Sequence, residues 1–176
     1  MNYNSLPYDI EIISILHDLN ISFHIKDNKL CFDSQFEYLS TYKQHIDIDG
    51  AFSLFNQLNH ILFFLNTKQK SISYISVEDI IFIENQFVFV NSKKIFDKIN
   101  NTIIINRPYN KQDLTLPPIL KQNNILPVLV DFEKGVYFSI GKILEILFKE
   151  NSLNHDTPLS CIIEDCLNGN CQNILV

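Results

Sequence analysis

Positive charge is scarce in this chain. Arg107 is the single arginine, and lysine plus arginine number 14 against 20 aspartates and glutamates, for a net charge of -6. That balance argues against a nucleic-acid partner or an anionic membrane surface. The one local basic cluster, Lys93, Lys94 and Lys98, is interrupted by Phe96 and Asp97 and reads as a solvated edge. Long apolar runs are missing too, since none approaches the roughly 18 residues that a membrane span requires. The opening residues Met1 to Ser5 show no basic segment followed by an apolar one, so no export signal is expected. The four cysteines form no CxxC pair, which points to a reducing compartment, the cytoplasm. Neither an internal repeat nor a domain linker is visible.

What the chain has is apolar surface to bury. With 176 residues, 46% of them hydrophobic, it is expected to form one domain that buries about 70% of its unfolded surface. The strongest element is Gly135 to Phe148. Val136, Ile140, Ile143 and Leu147 make one helical stripe and Tyr137, Leu144 and Phe148 a second, so the helix is apolar around most of its circumference and belongs in the interior. Ser139 and Gly141 are small enough to admit neighbouring backbone, and Glu145 with Lys149 forms a favourable pair on the narrow polar strip.

Other segments follow the same periodicities. Asp9 to Leu19 reads as a short amphipathic helix with Ile10, Ile13 and Leu16 inward and Ile12 and Leu19 flanking. Ile21 to Ile25 and Lys29 to Phe32 read as a hairpin turning at Asp27-Asn28, two residues that tolerate positive φ. Phe36 to Leu39 leads into a polar connection. Ala51 to Leu65 is a second strong helix, with Phe52, Phe55, Leu58, Ile61, Leu62 and Leu65 on one face, capped by Asp47 or Asp49, and expected to pack on the central helix. Short β-rich runs follow at Ser71 to Ile75, Ile80 to Ile83, Phe87 to Val90 and Thr102 to Ile105, none long enough to suggest a large sheet. Pro108, Pro117, Pro118 and Pro127 punctuate an irregular stretch of about 25 residues. Pro158 to Leu167 closes the chain as a helix with Leu159, Ile162, Ile163 and Cys166 inward, ended by Gly169.

Residues with chemistry are sparse. Cys161, Cys166 and Cys171, with His155 nearby, suggest a zinc site, but spacings of five rotate successive helical positions by about 140°, so buried or incidental thiols are the expectation and no metal is predicted. The histidines are scattered and no Ser/His/Asp or Cys/His set has catalytic spacing. His60 lies on the polar side of its helix and reads as solvated. Asp47 and Asp49 read as caps before they read as a carboxylate pair.

The order of the pieces resembles the C-terminal lobe of eukaryotic-type protein kinases. Tyr137-Phe138-Ser139-Ile140-Gly141 is similar to the Asp-Val-Trp/Tyr-Ser-Leu-Gly opening of that family's central helix, and Leu116-Pro117-Pro118-Ile119 to the Ala/Pro-Pro-Glu end of its activation segment. Val77-Glu78-Asp79-Ile80-Ile81 stands for Pro-Glu-Asn-Ile-Leu, and Cys166 to Cys171 for Cys-Leu-x-x-Asp-Pro. Kinase-like proteins of giant DNA viruses are degenerate in a similar way, and a composition rich in Ile, Asn, Lys and Phe suits an AT-rich genome. Host cytoplasm or virion would then be the location. The resemblance implies an α+β, mainly helical fold, similar to a kinase C-lobe (46–176), with residues 1–45, including the N-terminal hairpin, as the vestige of the other lobe.

It also implies where catalysis has been lost. Phosphoryl transfer needs an aspartate for the substrate hydroxyl, oxygen ligands for Mg²⁺, a lysine on the phosphates and a glycine-rich cover. Tyr74 falls at the base position, Ile72-Ser73 replaces His-Arg, and Asn91-Ser92-Lys93 stands where Asp-Phe-Gly would be. Val136 takes the place of the aspartate that anchors the central helix, and no GxGxxG occurs. Asp79 is the remaining candidate metal ligand. The expectation is a pseudokinase that binds a protein partner, without nucleic acid, membrane or cofactor. Two alternatives stay open: an active atypical kinase using ATP and Mg²⁺, and a peptide-binding module resembling the non-catalytic kinase C-lobe domain.

Overall fold

The computed structural model describes residues 3–154 and 156–171. Its first half begins with β1 (Tyr3–Pro7), helix α1 (Ile10–Asp18), β2 (His24–Lys26) and the long β3 (Lys29–Tyr38). The short α2 (Leu39–Tyr42) and the 20-residue α3 (Ile48–Thr67) follow, then β4 (Lys70–Ile72), β5 (Ile80–Ile83) and β6 (Gln86–Phe89). The second half holds β7 (Ile95–Ile99), β8 (Thr102–Ile105), α4 (Pro118–Gln122), β9 (Val128–Asp131), α5 (Phe132–Glu150) and α6 (Pro158–Asn168).

The strands form two antiparallel sheets. One runs β1-β3-β5-β6 with β2 also on β3, and the other runs β4-β7-β8-β9. β3 is long enough to serve two neighbours. Its first half pairs with β1 and β2, and its end, at Glu37 and Tyr38, pairs with Phe82 and Ile81 of β5. The expected hairpin is there, turning at Asp27 and Asn28 with φ of 50° and 58°.

A mainly helical, kinase C-lobe-like fold with only a vestigial N-terminal hairpin does not describe this chain. The described residues are 46% helical and 25% strand, in two sheets. The short runs that looked incapable of making a large sheet find partners far along the chain. β1, β7 and β9, which carry no clear strand signal, complete the two ladders. β9 and α4 both lie inside the proline-rich stretch that read as irregular.

α5 fills the interior. Val136, Tyr137, Ile140, Ile143, Leu144, Leu147 and Phe148 are all buried, as are Ser139 and Gly141. Asp131 caps the helix by accepting the Lys134 N–H. Ser139 Oγ donates to Thr115 O at 2.9 Å, and a Cβ on Gly135 would lie 3.2 Å from Ser73 O, so small residues let α5 touch two loops closely. α3 meets α5, but its longer contact is with β6 of the first sheet. It is capped by Asp47, which accepts the Gly50 N–H at 2.8 Å.

Two inward faces differ from the sequence reading. In α1, Ile12, Ile15 and Leu16 are buried and Ile10 is 70% exposed, because Asp9 caps the helix at the Glu11 and Ile12 N–H groups and thereby sets its rotation. In α3, Asn59 turns inward instead of facing solvent, and its Oδ1 lacks a hydrogen-bond partner.

α6 packs along α5 and ends at Gly169 in the left-handed conformation, φ 73°. The crossing is close because a Cβ on Gly141 would stand 2.8 Å from Cys166 Cβ and 3.2 Å from Leu167. Gly141→Ala should therefore destabilise the protein although alanine is the better helix former. Overpacking costs about 1–3 kcal/mol, against a helix-propensity gain of about 1 kcal/mol. A melting temperature lower by a few degrees is expected; an unchanged or higher one would show that α5 and α6 separate freely.

Candidate functional site

Two tight turns meet beside the N-terminal half of α5. The first connects β4 to β5 and contains Ser73, Tyr74 and a 3-10 turn, Val77–Asp79; the second connects β6 to β7 and contains Asn91 and a 3-10 turn, Ser92–Lys94. Backbone bonds strap them together: Ser73 N–H donates to Lys94 O at 2.9 Å and Val90 N–H to Asp79 O at 2.8 Å.

Asp79 is the centre of this arrangement. Ser76 and Asp79 form a capping box, with the Ser76 N–H and hydroxyl each donating to Asp79 Oδ2 at 2.8 Å. Lys94 Nζ donates to the same oxygen at 2.5 Å, and Asn91 Nδ2 donates to Oδ1 at 2.7 Å. A carboxylate has about four acceptor positions. Four donors of the chain itself converge on it, three on Oδ2 and one on Oδ1. The side chains of Asp79 and Lys94 are only 5% and 13% exposed, so this ion pair is shielded from solvent screening.

Tyr74 completes the floor. Lys94 Nζ lies 3.7 Å from the centre of its ring and also donates to Ser76 Oγ at 2.9 Å. Burial is the main cause that pushes the Tyr74 phenol far up, and the charges of Asp113 and Asp79 add to it. The phenol stays protonated across the physiological range. It has no capacity to act as a base there.

Of the predicted positions, the structure brings Tyr74, Asp79 and Asn91 together. It corrects the reading of the basic cluster as a solvated edge, because Lys94 turns inward to Asp79 while Lys93 remains exposed. Lys98 is also engaged, with Asn66 Oδ1 and over the Phe132 ring at 4.3 Å. Sequence reading missed Ser76 and Lys94. Ser76-x-x-Asp79 is a capping-box pattern and would have located the first; nothing in Ser92-Lys93-Lys94 says which lysine turns in.

Other candidates do not converge on a site. Cys166 and Cys171 are buried with their sulfurs 3.0 Å apart, burial pushes both thiols up, and Cys161 is exposed. His155 lies outside the described residues. Among the described residues, no three His, Cys, Asp or Glu side chains are grouped to hold a metal. His60, expected to be solvated, stays half exposed and pairs with Asp18 at 2.8 Å. Val136 is buried in the core.

No protein-family model matches this chain, and no curated protein matches it. Among the described residues, no helix is long and apolar enough to cross a membrane.

Proposed function

We propose that this chain is a catalytically inactive interaction domain, related to protein kinases through the order of its motifs, that acts by binding a protein partner. The shielded ion pair between Asp79 and Lys94 carries the proposal. A carboxylate that holds Mg²⁺ must offer lone pairs to the metal. Here Lys94, an internal cation, takes that place with Ser76 and Asn91. Asn91 donates its amide N–H₂ group to Asp79 Oδ1. The tyrosine at the base position is buried and protonated, which leaves a substrate hydroxyl without a proton acceptor.

The surface supports a protein partner. Ile104 and Leu129, opposite each other on β8 and β9, are 41% and 60% exposed, and Ile125 just before β9 is 79% exposed. The acidic net charge disfavours nucleic acid. The absence of a CxxC pair among the four cysteines of the sequence supports a reducing compartment such as the cytoplasm.

Thermal denaturation with millimolar ATP, with and without Mg²⁺, tests the proposal. No Mg²⁺-dependent shift is expected, and Tyr74→Asp combined with Asn91→Asp should not create one. A saturable Mg²⁺-dependent shift of a few degrees that Asp79→Ala abolishes would sink the inactive reading in favour of an atypical kinase.

A further inference from the structure

A cleft of about 370 Å³ opens next to the Asp79 knot, between the two turns and the end of β8. Among the described residues, its wall includes Lys93, Lys94 and Arg107 and no aspartate or glutamate, in a chain whose net charge is -6. Lys94 is already matched by Asp79. Among the described residues, Lys93 and Arg107 have no carboxylate partner within ion-pair distance.

Arg107 is nevertheless held in place. One guanidinium nitrogen donates to Lys93 O at 3.0 Å, and the group lies over the Phe96 ring, 5.3 Å from its centre. A guanidinium has five N–H donors in a fixed fork, so one bond to a carbonyl leaves donors for a planar or tetrahedral anion. Tyr109 stands on the same wall, its hydroxyl tied to Leu120 O at 3.1 Å, which fixes the ring. Two cations on one wall repel each other, and an anion between them relieves that repulsion, although both also border an adjoining hollow that contains Asp9, Glu11 and Asp97. The aromatic rings supply an apolar surface for whatever carries the anion. The cleft is near the small end of ligand sites, which suits a single ester better than a nucleoside triphosphate.

We propose that this cleft binds a phosphate monoester on an aromatic stem, the chemistry of phenyl phosphate and of a phosphotyrosine side chain, with Arg107 and Lys93 as the anion donors. The proposal goes beyond the non-catalytic reading and needs neither Mg²⁺ nor Asp79, so either can fail without the other.

Titration of the ¹⁵N-labelled chain with phenyl phosphate in EDTA tests it. Saturable shifts at the Ser73, Lys93, Lys94 and Tyr109 amides are expected, with little response to phenol. Arg107→Gln and Lys93→Ala change exposed side chains and should fold normally. Each is expected to weaken binding about tenfold to a hundredfold, the usual worth of a charge-assisted contact. A phosphotyrosine peptide binding tighter than phenyl phosphate would assign the ester to a protein partner; equal or weaker binding would assign it to a free small ester. Absence of saturable shifts, or affinity unchanged in both variants, would overturn the proposal.

Discussion

Ile140→Asp is expected to leave no cooperatively folded protein. Ile140 is fully buried at the middle of α5, the helix whose side chains join the first sheet, α3 and α6 into one core. Its neighbours there are Val136, Tyr137, Ile143 and Leu144, which offer an ionised carboxylate neither a countercharge nor water. Burying such a group unpaired costs many kcal/mol, and protonating it still leaves an unsatisfied polar group in a cavity shaped for isoleucine. A domain of this kind has about 5–15 kcal/mol in total to lose. Ile140→Val, which removes one methylene, should cost only about 0.5–1.5 kcal/mol and serves as the control. A soluble Ile140→Asp protein with a sharp, unshifted thermal transition would mean that α5 is peripheral.

Lys94→Met should be the most damaging change outside the apolar core. It removes the ammonium from Asp79 and keeps the apolar stem, so the loss is electrostatic. The buried carboxylate retains Ser76 and Asn91 as donors but has no positive charge within bonding distance. Breaking a buried pair from one side costs about 3–5 kcal/mol. Urea denaturation would register that loss. Adding Asp79→Asn should recover a large part of it, since a neutral amide needs no countercharge and its oxygen can still accept from Ser76. A loss below about 1 kcal/mol would place the pair with ordinary surface ion pairs. The reading of Lys94 as the internal counterion of Asp79 would then fall with it.

The parts of the fold that could be read from the sequence are those in which one short window contains the whole signal. α3, α5 and α6 bury enough residues at helical spacing for periodicity to find them, and Asp27-Asn28 marks its hairpin because both residues must adopt positive φ. The second sheet has no such window. β8 is Thr-Ile-Ile-Ile, with Ile103 and Ile105 inward and Ile104 outward, so burial alternates where residue type does not. β7 contains Asp97 and Lys98 and looks like surface, and β9 follows Pro127 directly. α1 has five isoleucines and leucines within seven positions, which leaves its inward face to be decided by the Asp9 cap and by Ser92, whose hydroxyl donates to Asp9 at 2.5 Å.

The site was half legible for a related reason. Tyr74, Asp79 and Asn91 stood out by residue type and spacing. The identity of the cation did not, because lysine at 93, 94 or 98 is equally acceptable on a surface, and only the 3-10 turn at Ser92–Lys94 aims one of them at Asp79. Arg107 approaches from the end of β8, across a chain reversal that no local pattern announces.

The position of α5 in the chain sets a constraint on synthesis. Residues 3–131 contain all the strands of the described residues and the long α3, yet α5, which packs on α3 and β4, arrives only with residues 132–150. A ribosome-bound chain must therefore carry these β-strands beside an open apolar cavity until residues 132–150 have left the exit tunnel. Exposed apolar surface and incompletely packed strands are what promote association between nascent chains and recruit chaperones. The hazard in making this protein is concentrated in that interval, and slowing translation just before Phe132 should lengthen it.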